Sequence, residues 1–141
     1  MKKNIQKPRI AIVFSEFNKK IGEKLLKKTV NELKKNNVKS VEIFKVPGAL
    51  EIPLVCKKII VKKRYDLIIT LGVVIKGETT HFEHVSRESI HGIQKLALEN
   101  TFPIITGILT VLTEKQAKDR IDNGIYYAKS ALKLLNTLKN I

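Results

Sequence analysis

The stretch LIITLGVV, residues 67–74, has a single hydrogen-bonding side chain, that of Thr70. A strand with one face in water alternates apolar and polar residues, whereas one covered on both faces reads as a continuous apolar run. Residues 67–74 are therefore expected to form a parallel strand with helices packed above and below. Moving outward, RIAIVFS at 9–15 reads as a first strand, 41–46 as a second and 104–109 as the one that follows. Segments of helical period separate them. The first, 19–35, puts Ile21, Leu25, Val30 and Leu33 on one face, with Asn18 placed to cap it. A second helix, 50–63, tolerates Pro53 only in its first turn. A third spans 82–100. In the last, 113–138, Thr113 and Gln116 have the spacing of a capping box, and Gly124 marks a kink.

Four strand–helix units in succession imply an α/β domain with a parallel sheet and right-handed crossovers. No linker or repeat divides the 141 residues, so one domain spans 1–141, with residues 1–8 as an N-terminal arm. The absence of a long apolar run argues against a membrane span or a secretory leader. A single cysteine, Cys56, suits a reducing cytoplasm and reads as a small buried hydrophobe.

The formal charge is +14, from 27 basic and 13 acidic residues. Such an excess suggests nucleic acid or an acidic membrane surface. Only four of the basic residues are arginines (Arg9, Arg64, Arg87 and Arg120), and the lysines are scattered over several helices. No basic tract is interleaved with aromatic residues, as single-strand binding requires. The charge is read as solvated surface, and no specific nucleic-acid partner is expected.

In a parallel sheet of this kind ligands bind beyond the carboxyl ends of the strands. That rule singles out the loops at 16–18, 47–51, 76–81 and 110–113. Gly77 lets backbone approach an anion, and the N–H groups of a helix start favour phosphate, although Thr79 or Thr80 can equally serve as a plain cap. His81 has the side chain suited to proton exchange near neutral pH. His84 and His91 read as surface, and no carboxylate–cysteine set completes a metal site around them. Phe17 can stack on a flat ring or pack as core. Glu51 can bond ring nitrogens or merely favour a helix N-terminus. Arg120, an arginine among lysines, hints at bidentate recognition of phosphate, or else pairs with Asp119 or Asp122. A phosphoacceptor receiver would need an aspartate ending the third strand, where Gly72-Val73-Val74 stands. A flavodoxin would need a Ser/Thr-rich loop after the first strand, in place of Glu16-Phe17-Asn18-Lys19.

Four pieces carry a more specific pattern. They are Ser15-Glu16-Phe17-Asn18, Val46-Pro47-Gly48-Ala49-Leu50-Glu51-Ile52-Pro53, Gly72-Val73-Val74-Ile75-Lys76-Gly77-Glu78-Thr79-Thr80-His81-Phe82, and Gly107-Ile108-Leu109-Thr110 with Gln116-Ala117 and Arg120. In order and position they resemble the lumazine synthase family over almost the whole chain. The resemblance implies a three-layer α/β/α sandwich, flavodoxin-like, with strand order 2-1-3-4. It implies a transferase of riboflavin biosynthesis that joins 5-amino-6-(D-ribitylamino)uracil to 3,4-dihydroxy-2-butanone 4-phosphate. Phe17 would stack on the pyrimidine, with Ala49, Leu50, Glu51, Val73, Val74 and Ile75 holding its polar edge and ribityl chain. Gly77, Glu78 and Thr79 would bind the phosphate largely through backbone N–H groups. His81 would donate the proton, and Arg120 would reach the phosphate from a neighbouring subunit.

The steps are proton transfers between oriented reactants, so neither a metal nor a redox cofactor is expected. Two features depart from the family pattern. Thr106 stands where an aromatic residue often ends the fourth strand and packs on the pyrimidine. The stretch after Arg120 is short and lacks the lysine of a glycine-rich insert. The resemblance also implies a ring of five with active sites between adjacent subunits, built in some members into an icosahedral shell by an added N-terminal strand. Pro8 lacks the N–H for such a ladder, so free pentamers are expected. The rival readings are an archaeal-type riboflavin synthase, and a basic nucleic-acid-binding or shell-forming protein without catalysis.

Overall fold

A computed structural model describes residues 7–141; of the arm expected at 1–8, residues 1–6 lie outside the described part. The chain runs β1 (Arg9–Ser15), α1 (Lys19–Lys34), β2 (Ser40–Val46), a 3-10 turn (Ala49–Glu51) and α2 (Ile52–Lys62). It continues as β3 (Leu67–Ile75), α3 (His81–Asn100), β4 (Ile104–Val111), α4 (Glu114–Lys118) and α5 (Asn123–Lys139). The four strands form one parallel sheet in the order β2-β1-β3-β4. This is the flavodoxin-like arrangement expected.

Side chains alternate across a strand, and in the central strands β1 and β3 both sets are buried. Ile10, Ile12 and Phe14 of β1, with Leu67, Ile69 and Leu71 of β3, pack beneath α1 and α5. Ala11, Val13 and Ile68 point the other way, against Ile52, Cys56 and Ile59 of α2 and Ile93 of α3. The apolar face read on the first helix is the one that packs: Ile21, Leu25 and Leu33 are buried and Val30 partly so. Pro53 falls in the first turn of α2, where its missing N–H costs nothing. Cys56 is fully buried, and burial pushes its thiol up to about 12, so it is an inert core group. No helix among the described residues is long and apolar enough to cross a membrane.

Three expectations are corrected. The helix expected at 113–138 is two helices. The Thr113 hydroxyl does accept from the Gln116 N–H, at 3.1 Å, while the Gln116 side chain reaches back to the Leu112 N–H at 2.8 Å. The capping box therefore forms with its return bond one residue early. Between α4 and α5, however, the bonds tighten to the three-residue type, Arg120 N–H to Ala117 O and Asn123 N–H to Arg120 O. Asp119, Asp122, Asn123 and Gly124 crowd this stretch and are weak helix formers. Arg120 consequently sits in a turn and not on the second turn of a helix.

Secondly, Gly124 serves a close crossing more than a kink. A Cβ added there would lie 2.6 Å from the Leu25 carbonyl oxygen and 2.8 Å from the Thr29 hydroxyl on α1. Gly124→Ala should cost about 1–3 kcal/mol through overpacking, outweighing the roughly 1 kcal/mol that alanine gains in helix propensity. Denaturant unfolding checks the sign; an alanine variant as stable as the parent would show that α1 and α5 can move apart freely.

The third correction concerns Thr106. It is not where the fourth strand ends but the third residue of β4, paired with Thr70. Five residues separate it from the carboxyl end of the strand, roughly 16 Å at the usual rise.

Candidate active site

The carboxyl ends of β1 and β3 stand next to each other, and the loops that leave β1, β2 and β3 enclose a cavity of about 340 Å³. That is the size of a small-molecule site. Ser15 and Phe17 line it from the end of β1, and Gly48, Ala49, Leu50 and Glu51 from the loop after β2. Val73, Val74 and Ile75 form the β3 wall. Gly77, Thr79, His81, Phe82 and Val85 close it from the loop after β3 and the first turns of α3.

Each sequence-level alternative meets a fact. Phe17 is 68% exposed at the cavity mouth, so it is not core; an apolar ring held in water is available to a flat ligand. Glu51 closes the 3-10 turn through its N–H to the Gly48 carbonyl, at 3.2 Å. A Cβ on Gly48 would come within 3.1 Å of the Glu51 carboxylate, so glycine keeps room for that group at the wall. Gly77 has no left-handed φ, and an added Cβ would meet nothing within 4 Å. The fold does not require glycine there; the open space is what glycine provides.

His81 is the first residue of α3, exposed at the cavity edge, and its N–H points to the Thr79 hydroxyl at 3.3 Å. Thr80 holds the cap position without a side-chain bond, so the cap expected of one of these threonines comes only from Thr79, and weakly. A helix of 20 residues thus begins at the cavity without a strong cap, and its positive end favours an anion there. His84 and His91 are exposed further along α3 and do not line the cavity.

Of the thirteen candidate residues, ten line this cavity and three do not. Glu78 lies between two lining residues, in the loop. Thr106, within β4, and Arg120, in the turn between α4 and α5, are outside the cavity formed by this chain. The ion pair proposed as the plain reading of Arg120 does not form. Asp119 pairs with Lys115 at 3.0 Å and Asp122 with Lys28 at 3.2 Å. The Arg120 guanidinium instead donates to the Gln116 carbonyl at 2.9 Å and is exposed. Four wall residues were not assigned from sequence: Ser15, Gly48, Phe82 and Val85. Phe82 and Val85 are three apart and so share a helix face, a regularity that a reading focused on loops passes over.

The chain matches the family model described as 6,7-dimethyl-8-ribityllumazine synthase over residues 7–139. It is similar to the 6,7-dimethyl-8-ribityllumazine synthase of Pyrococcus furiosus, 42% identical over 137 residues, which cover 94% of this chain and 87% of that protein. The protein of the same name from Thermococcus kodakarensis is 36% identical over 94% of this chain and 88% of its own length. That from Thermococcus onnurineus is 36% identical, with 94% and 90% covered.

Proposed function

The chain belongs to the 6,7-dimethyl-8-ribityllumazine synthase family, transferases of riboflavin biosynthesis, and we propose that its cavity is where the lumazine is made. The reactants are 5-amino-6-(D-ribitylamino)uracil and 3,4-dihydroxy-2-butanone 4-phosphate, and the product is 6,7-dimethyl-8-ribityllumazine. The observation that supports this best is the convergence of ten candidate residues, from three separate stretches of chain, on one cavity.

In this reading the pyrimidine stacks on Phe17, and the loop of Ala49, Leu50 and Glu51 meets its polar edge. The backbone of Val73, Val74 and Ile75 runs beside the ribityl chain. The phosphate sits at the start of α3, against the N–H groups of Gly77, Glu78 and Thr79. The substrate amine condenses with the ketone to an imine with loss of water, phosphate leaves, and the ring closes with loss of a second water. His81, between the phosphate end and the apolar wall, gives and takes protons in these steps. Orientation supplies much of the rest, because two reactants held in register react as one.

The same reading completes the site across a subunit boundary. Arg120 and Thr106 lie outside this chain's own cavity, and in this reading a neighbouring copy presents them to it. Leu50, Leu54 and Leu98 are 46%, 69% and 80% exposed, an apolar surface that suits burial against another copy. We take the assembly to be a free ring of five in the cytoplasm. Pro8 is followed directly by β1, and light scattering would separate the ring, about 80 kDa for five chains of 16.0 kDa, from a shell.

The test of function is to incubate the purified protein with both substrates and follow lumazine by its absorbance and fluorescence. A second reaction supplies lumazine alone. Lumazine in the first and no riboflavin in the second is the expected pair of results. Riboflavin formed from lumazine alone would make the protein a riboflavin synthase, and no turnover in either would overturn the assignment.

A further inference from the structure

On the β1 side the ladder pairing of β3 ends at Phe14 and Leu71, and β1 itself ends one residue later, at Ser15. The carbonyl of Val73, two residues beyond Leu71, is therefore without a ladder partner from β1. The Asn18 side chain fills that place: its amide Nδ2 donates to the Val73 oxygen at 2.8 Å, part-buried, across 55 residues of chain.

Asn18 was expected to cap α1, and it does not. Its side chain makes no cap bond, and its backbone is left-handed, φ 60° and ψ 43°. Asparagine tolerates this conformation better than other residues with a side chain, yet glycine would adopt it more easily. A capping role would aim the side-chain oxygen at the N–H groups of the first helical turn. The backbone alone starts the helix, through the Asn18 carbonyl and the Gly22 N–H at 3.0 Å. Neither turn nor cap accounts for asparagine; the bond to Val73 does.

That bond joins the two walls of the cavity. Phe17 precedes Asn18, and Val73, Val74 and Ile75 form the opposite wall. On the near side the loop is tied by the Glu16 N–H to the Val46 carbonyl at 2.8 Å. Among the described residues, the other side-chain ties close to Phe17 are the exposed pairs of Lys19 with Glu16 and Glu23, at 3.6 and 3.8 Å, and such pairs hold little. We infer that Asn18 is a positioning residue, whose amide clamps the Phe17 loop to the end of β3 and fixes the gap into which the pyrimidine slides. The inference rests on the proposed reaction and adds to it a residue that touches no substrate through its side chain.

Two substitutions separate the clamp from the turn. Asn18→Gly keeps the left-handed backbone and removes the amide. Asn18→Asp keeps the shape, tolerates the same backbone and sets a carboxylate oxygen against a carbonyl oxygen. For both, the KM of the aminopyrimidine and the equilibrium affinity for the fluorescent lumazine product should worsen by about three- to tenfold, the effect of one lost hydrogen bond. The KM of the sugar phosphate should stay within about twofold, since in this reading the phosphate is held by N–H groups of the loop after β3, which the clamp does not bond. Asn18→Asp should be at least as impaired as Asn18→Gly. Wild-type affinity in Asn18→Asp would overturn the clamp and leave a turn-forming role, as would equal losses toward both substrates. The parent protein is the control for the reaction itself: if it makes lumazine while the variants bind like it, the clamp alone fails.

Discussion

His81→Ala is expected to lower kcat by about a hundred- to ten-thousand-fold, with KM for both substrates changed far less. His81 is the only imidazole on the cavity wall among the described residues; Glu51 is the other ionisable group there. Imine formation, phosphate loss and dehydration all require a proton to be moved at the ligand, and an imidazole does this near neutral pH. The ring begins α3, so the helix fixes it at the same end of the cavity as the phosphate-binding loop. Because the substrates are held by other groups, removing the imidazole should spare binding. His91→Ala, altering an exposed residue on the same helix and outside the cavity, provides the comparison. Turnover within threefold of the parent would assign proton transfer to water or to the substrates themselves.

Much of this arrangement is written in local pattern. The strand RIAIVFS is bounded as read, and the apolar run at 67–74 lengthens by only one residue, Ile75. Strands buried on both faces leave a continuous apolar record that a turn must interrupt, so their limits are legible. The loop rule then placed Phe17, Glu51, Gly77 and His81 at one end of the sheet, and they do line one cavity. What failed to show depends on partners distant in sequence. The break at Asp119 to Asp122 pits weak helix formers against an apolar period that continues on both sides, and the period dominated the reading. Gly124 looks like a flaw until Leu25 is seen against it. Asn18 offers a standard cap from sequence, whereas its actual partner, Val73, is set by strand order and register. Arg120 could be suspected from its chemistry, but its separation from the cavity is visible only in three dimensions.

That separation leads to the second large effect. Arg120→Ala should weaken sugar-phosphate binding by about 1.5–3 kcal/mol, or roughly ten- to a hundred-and-fifty-fold, as for a lost charge-assisted contact. The guanidinium lies outside its own chain's cavity and, among the described residues, is engaged only by the Gln116 carbonyl, with both nearby aspartates paired elsewhere. If it serves a neighbour's cavity, His81 and Arg120 of one working site come from different chains. Rings refolded from equal amounts of His81→Ala and Arg120→Ala chains should then show, at limiting sugar phosphate, more activity than either variant alone. With random mixing, half of the sites receive an intact His81 and half of those face an intact Arg120. About a quarter of wild-type activity is the expected ceiling for a closed ring of equivalent interfaces. A site built within one chain predicts the opposite, since every site in the mixture would carry one defect. Mixed assembly is verified by tagging one variant and recovering the other with it. Activity no higher than the mean of the two parents, in rings shown to be mixed, would confine the site to a single chain and leave Arg120 without a part in it.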